Sequence, residues 1–166
     1  YTFQWSNGDL NSLATQLSAG SYSVTITDAN GCSTVAVTQI TEPTSLLVSN
    51  TQTTNASCYG LSDGSAIFAS SGGTAPYQYL WSNGVTTAAA NGLAAGNYVV
   101  TVTDQHGCTE LASVSITQPS QIVVSPVSVT AVKCFGGNDG SVTMNAVGGS
   151  SPYTYQWSTG TSGITA

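Results

Sequence analysis

The chain has 166 residues, a net charge of −6 and one basic residue, Lys133; only 5% of its residues are charged, against about 25% in an average soluble domain. So little positive charge excludes phosphate neutralisation, and with it nucleic acid as a partner, and leaves nothing to hold an anionic membrane surface. The 24 Ser and 24 Thr residues supply polar surface instead, the 40% hydrophobic residues suffice for packed cores, and no apolar run nears the ~18 residues of a membrane span.

Alternating apolar and polar positions, rich in β-branched and aromatic residues, predict strands throughout and no helix of useful length. Tyr1–Gly8 reads as a strand and its turn, and Ala19–Thr25 leads into a turn carrying Thr27-Asp28 and Gly31-Cys32. Further strands are predicted at Leu46–Thr53, Ser65–Ser70, Tyr77–Trp81, Thr86–Ala90, Asn97–Thr103 and Thr109–Thr117. Between them fall the turn signals Ser62-Asp63-Gly64, Gly72-Gly73, Ser82-Asn83-Gly84, Asn91-Gly92, His106-Gly107 and Gln118-Pro119.

These elements recur. Tyr1-Thr2-Phe3-Gln4-Trp5-Ser6-Asn7-Gly8 returns as Tyr77-Gln78-Tyr79-Leu80-Trp81-Ser82-Asn83-Gly84 and as Tyr153-Thr154-Tyr155-Gln156-Trp157-Ser158-Thr159-Gly160, the numbering rising by 76 each time. The same offset maps Tyr22 onto Tyr98, Cys32 onto Cys108, Cys58 onto Cys134, and Asp63-Gly64-Ser65 onto Asp139-Gly140-Ser141, without a gap. Residues 1–43 therefore read as the C-terminal part of one repeat, 44–119 as a complete repeat and 120–166 as the N-terminal part of a third, which implies a parent chain extending both ways. Short strands with turns about every ten residues predict an all-β fold of tandem immunoglobulin- or fibronectin-like β-sandwich repeats, each adding roughly 30–40 Å to a stalk. Strand alternation places Tyr77, Tyr79 and Trp81 on one face, so Trp5, Tyr22, Tyr79, Trp81, Tyr98, Tyr155 and Trp157 are the expected structural core. Tyr98, after Leu93-Ala94-Ala95-Gly96, resembles the tyrosine corner of fibronectin-like modules.

Three stretches carry a family resemblance: Cys58-x-Gly60-x-x-Asp63-Gly64-Ser65, then Gly72-Gly73-x-x-Pro76-Tyr77-x-Tyr79-x-Trp81-Ser82-Asn83-Gly84, then Gly96-x-Tyr98-x-Val100-x-Val102-x-Asp104-x-x-Gly107-Cys108. Together they resemble the SprB-type repeats of very large surface adhesins in gliding Bacteroidota. The resemblance implies an extracellular, outer-membrane-associated protein, exported by the type IX secretion machinery and carried by the gliding machinery. Its partners would be a substratum or surface polysaccharide and the neighbouring repeats of its own chain. The alternatives are an array of carbohydrate-binding modules, in which Tyr77, Tyr79 and Trp81 form a stacking platform, and spacer repeats attached to an exported enzyme.

The side chains offer little for catalysis, because acid–base or nucleophilic chemistry needs titratable groups brought together. His106 aligns with Asn30 and Lys133 with Ser57, so neither recurs. No enzymatic activity and no cofactor are expected. The recurring carboxylates Asp28 with Asp104 and Asp63 with Asp139 are expected to cap their own turns. Asp63, Asp104 and Asp139 are weak metal candidates only, since calcium sites cluster several acids within a few positions. The four cysteines, spaced 26, 50 and 26 apart, are expected to form disulfides in an oxidising compartment. Six strands alternating up and down would place Cys58 and Cys108 at one pole and favour their bond, leaving Cys32 and Cys134 to pair outside the chain. A seventh short strand after Trp81 would send them to opposite poles. The other scheme joins Cys32 to Cys58 and Cys108 to Cys134.

Overall fold

A computed structural model describes residues 1–160, 162 and 163. Every regular element among them is a strand. The chain divides into two compact units, Tyr1–Ser45 and Leu46 onward. In the first, β1 (Thr2–Trp5), β2 (Gly20–Thr27) and β3 (Ser33–Ile40) form one antiparallel sheet in the order β1-β2-β3.

The second unit holds β4 (Leu47–Thr54), β5 (Gly64–Ser71), β6 (Gln78–Trp81), β7 (Ala89–Leu93), β8 (Gly96–Thr103) and β9 (Thr109–Ile116), then β10 (Val123–Thr130) and β11 (Ser141–Val147). β4-β5-β7 form one antiparallel sheet and β6-β8-β9 another. Each of β1, β2 and β3 begins and ends one full period before β6, β8 and β9, and β10 begins and ends one full period after β4. The register break between Asn50 and Gln52 in the β4–β5 pair recurs between Pro126 and Ser128 in the β10–β11 pair. Pro126, which cannot donate to a ladder, is tolerated beside this irregularity on a strand paired on one side only.

The two three-stranded sheets bury one core between them. Ala66 and Phe68 of β5 with Ala90 and Leu93 of β7 meet Trp81 of β6, Val100 and Val102 of β8, and Ile116 of β9. Trp81 is 2% exposed, stands edge-on to Phe68 with ring centroids 5.4 Å apart, and donates its indole N–H to the Thr87 carbonyl at 2.8 Å. At one pole the sheets come so close that Gly64 admits no side chain: a Cβ there would lie 2.7 Å from Ile116 Cγ2 and 2.8 Å from the Leu93 carbonyl.

The partial copies bury less, since burial needs both sheets. Ile40 is 37% exposed where its counterpart Ile116 is 2% exposed. Trp5 and Trp157 are half-buried where Trp81 is buried. Trp5 donates to the Asn11 carbonyl and Trp157 to that of Gly163, each six residues on, as Trp81 does to Thr87.

The fourth strand of the complete repeat departs from expectation. β7 runs through Asn91-Gly92 instead of ending there: Ser65 pairs with Asn91 and Gly64 with Leu93, so Gly92, at φ +69°, is the extra residue of a bulge. With β5 alongside to satisfy the backbone, an Asn-Gly pair that reads as a turn is absorbed into the ladder, the glycine taking the left-handed conformation. Residues 82–88 consequently form an irregular connection that recrosses the module. β8 runs opposite to β7, and β6 antiparallel to β8, so β6 and β7 point the same way.

Candidate functional site

The side chains with chemical potential gather at the two poles of the complete repeat. At the pole where β5 and β8 end, Asp104 is buried, 5% exposed. Its Oδ1 accepts the N–H groups of His106 and Cys108, both at 2.9 Å, and its Oδ2 accepts that of Thr74 at 2.9 Å. Gln105 N–H donates back to the Thr74 carbonyl at 2.8 Å. One carboxylate thus shapes the β8–β9 turn and fastens it to the β5–β6 loop. Burial pushes the Asp104 carboxyl up, but the N–H groups of Thr74, Cys108 and His106, with the His106 charge, outweigh it and hold it below its ordinary value of 3.8. Asp28 repeats the turn, accepting from Asn30 N at 2.9 Å and Cys32 N at 2.8 Å.

At the opposite pole, Asp63 takes hydrogen bonds from the hydroxyl and the backbone N–H of Ser57, and these hold its carboxyl below 3.8. Asp139 accepts from Lys133 N at 3.1 Å, with Lys133 Nζ 3.8 Å from its Oδ2. Both reach six residues back, where a cap bonding two residues on was expected. They fix the start of the Cys58 and Cys134 loops, which lead to β5 and β11. The described residues contain no group of three or more potential metal ligands.

The complete repeat closes at this pole through contacts that the sequence did not announce. Ala56 N–H donates to the Thr117 carbonyl, Thr117 N–H to Asn55 Oδ1, and Gly60 N–H to Gln118 Oε1, at 2.9, 3.0 and 2.7 Å. Pairs so far apart in sequence leave no local pattern to read.

Tyr77, Tyr79, Trp81 and Tyr98 are engaged in packing and in hydrogen bonds, whereas Tyr59 and Phe135 stand exposed. Tyr98 Oη donates to the Ala94 carbonyl at 3.2 Å and Tyr22 Oη to that of Ser18 at 3.1 Å, which is the tyrosine corner expected after Gly96. Tyr77 Oη donates to the Gly72 carbonyl, as Tyr153 Oη does to that of Gly148, and Tyr79 Oη bonds Ser70 Oγ. Tyr22, Tyr79, Tyr98 and Tyr155 are half-buried. Burial of Trp81 removes the centre of the stacking platform considered from the sequence. His106 is an exposed turn residue, and the Lys133 side chain is 83% exposed.

The cysteine pairings need correcting. All four are exposed free thiols. Cys58 lies beside Thr117 and Gln118, after β9, whereas Cys108 lies before β9, whose eight residues span roughly 25 Å. A disulfide requires Cα atoms within about 7 Å, so Cys58–Cys108 does not form. What separates the two is the irregular connection at residues 82–88, which recrosses the module where a seventh short strand was considered. Cys108–Cys134 fails too, because Cys134 is the copy of Cys58 one module further on, beyond β10.

The SprB repeat model matches residues 50–86 and 127–162. At both places the chain is similar to the SprB repeat. The second match ends one full period after the first, in step with the strands. Each SprB match takes in the Cys-Gly-Asp-Gly-Ser stretch and the Pro-Tyr to Trp-Ser run, while the Gly96–Cys108 run lies outside both. SprB repeats are structural repeats of cell-surface proteins, and the match suggests a repeat region of such a protein. No curated protein matches the chain.

Proposed function

We propose that these SprB-like repeats form part of the stalk of a large exported cell-surface adhesin, divided into modules at 1–43, 44–119 and 120–166. The supporting observation is that side chains recurring at the 76-residue period serve the fold. Trp81 fills the core, Tyr98 and Tyr77 hold backbone carbonyls, and Asp104 and Asp63 shape loops. Such a module presents a spacing element with a weakly charged, hydroxyl-rich surface and catalyses nothing. By kinship with SprB repeats, the parent protein reaches the surface through type IX secretion, contacts a substratum or surface polysaccharide, and serves attachment and gliding motility. The test uses Fab fragments raised against residues 44–119 on intact cells. The proposal expects surface labelling and reduced attachment or spreading; labelling only after lysis overturns the location, and labelling without any effect on attachment or spreading overturns the adhesive role.

A further inference from the structure

Cys58 occupies the pole at which the chain leaves the complete repeat through Pro119. There Ser57, Cys58 and Tyr59 line one side of a cleft of about 410 Å³, and Pro119–Ile122, Gly149 and Ser150 line the rest. Gly149 and Ser150 are the third repeat's copies of Gly73 and Thr74. In the complete repeat, Thr74 and Cys108 donate to the two oxygens of the single Asp104 carboxylate, each at 2.9 Å. The loop facing Cys58 across the cleft is therefore the one beside which a module carries its Cys108-type thiol. A second residue marks the same surface. Tyr59, in the cleft, is 55% exposed, whereas its copy Phe135, at the equivalent pole of the third repeat, is 109% exposed.

We infer that in a tandem array Cys58 forms a disulfide with the Cys108-type cysteine of the following module. In an array that keeps the 76-residue period, that partner would stand one period beyond Cys108. Cys58 is exposed, as is Cys108, the residue whose copy it would join, and the cleft sets Cys58 against the loop that copies the one beside Cys108. As the S–S bond forms, the two thiols give up two protons and two electrons. A disulfide-bearing oxidant of the oxidising compartment, protein or small molecule, takes them up and is reduced to two thiols. Each bond would clamp one module to the next while leaving the interior of both untouched. The inference concerns the architecture of the array and stands apart from its adhesive role.

The test extends the full 166-residue chain by a copy of residues 91–119, which completes the third repeat in period. After equilibration with oxidised glutathione, a non-reducing chymotryptic digest is mapped by mass spectrometry. The expected product joins Cys58 to the added copy of Cys108 and leaves Cys32, Cys108 and Cys134 unlinked to one another. In the Cys58→Ser variant the added thiol should stay free of intramolecular bonds. Joining of the added cysteine to any residue other than Cys58 overturns the inference. The same map of the parent protein isolated from its cells guards against misfolding of the extension. There, the Cys58 peptide should be linked to the Gly-Cys turn of the next repeat, and its recovery as a free thiol or on any other partner overturns the inference.

Discussion

Replacing Trp81 by Ala removes the largest side chain of the complete repeat's core. A buried indole withdraws about 150–250 Å² from water, which at ~25 cal/mol/Å² corresponds to an upper bound of roughly 4–6 kcal/mol. Core aromatic-to-Ala changes measure about 3–5 kcal/mol once partial collapse of the cavity is included. The variant also loses the edge-on contact with Phe68 and the bond to the Thr87 carbonyl. Because Thr87 is exposed, water replaces that donor at little cost. Trp81→Phe keeps much of the buried area and is expected to lose only about 1–2 kcal/mol, chiefly from the vacated volume and the lost N–H bond. The assay is equilibrium urea denaturation followed by far-UV circular dichroism, with Tyr59→Ala as the exposed control. A loss below about 1 kcal/mol for Trp81→Ala would refute the reasoning, because the indole would then not be buried against the second sheet.

Gly64→Ala is expected to cost about 1–3 kcal/mol by overpacking against Ile116 and the Leu93 carbonyl, and Gly140→Ala, whose nearest neighbour is a Val132 methyl at 3.2 Å, less; both can be read from the same urea curves. Tyr98→Phe should lose about 1 kcal/mol with the bond to the Ala94 carbonyl. Acid titration should leave stability flat above pH 3.8 with respect to Asp104 and Asp63. Their folded-state values lie below the ordinary one, so their contribution is complete above 3.8 and is lost as the pH falls through the lowered values. Asp104→Asn and Asp63→Asn should each flatten that acid limb in thermal unfolding scans.

Five of the six strands of the complete repeat were legible to within a residue or so at either end, because alternation, turn residues and the period agree there. The core position of Trp81 was legible from its place on the Tyr77-Tyr79-Trp81 face. β7 was displaced because Asn-Gly carries the same local signal whether it turns the chain or sits in a bulge, and only the neighbouring β5 decides. That one displacement carried the error in the cysteines, since the poles of Cys58 and Cys108 depend on how many times the chain crosses the module. The six-residue reach of Asp63 and the Asn55–Thr117 closure stayed hidden because they are made between segments that meet only after folding. Trp5 and Trp157 have the sequence setting of Trp81 and lack its burial, which pattern alone does not distinguish.

The central claim is that the 76-residue repeat is a self-contained mechanical and folding unit. Single-molecule force spectroscopy on a reduced tandem array of residues 44–119 tests it most directly. One repeat stretched to about 3.3–3.6 Å per residue, less a folded length of roughly 30–40 Å, gives a contour-length gain of about 230 Å per event. The account predicts a regular series of equal steps of that size, one per repeat. Smooth extension without steps, or steps spanning several repeats at once, would contradict it.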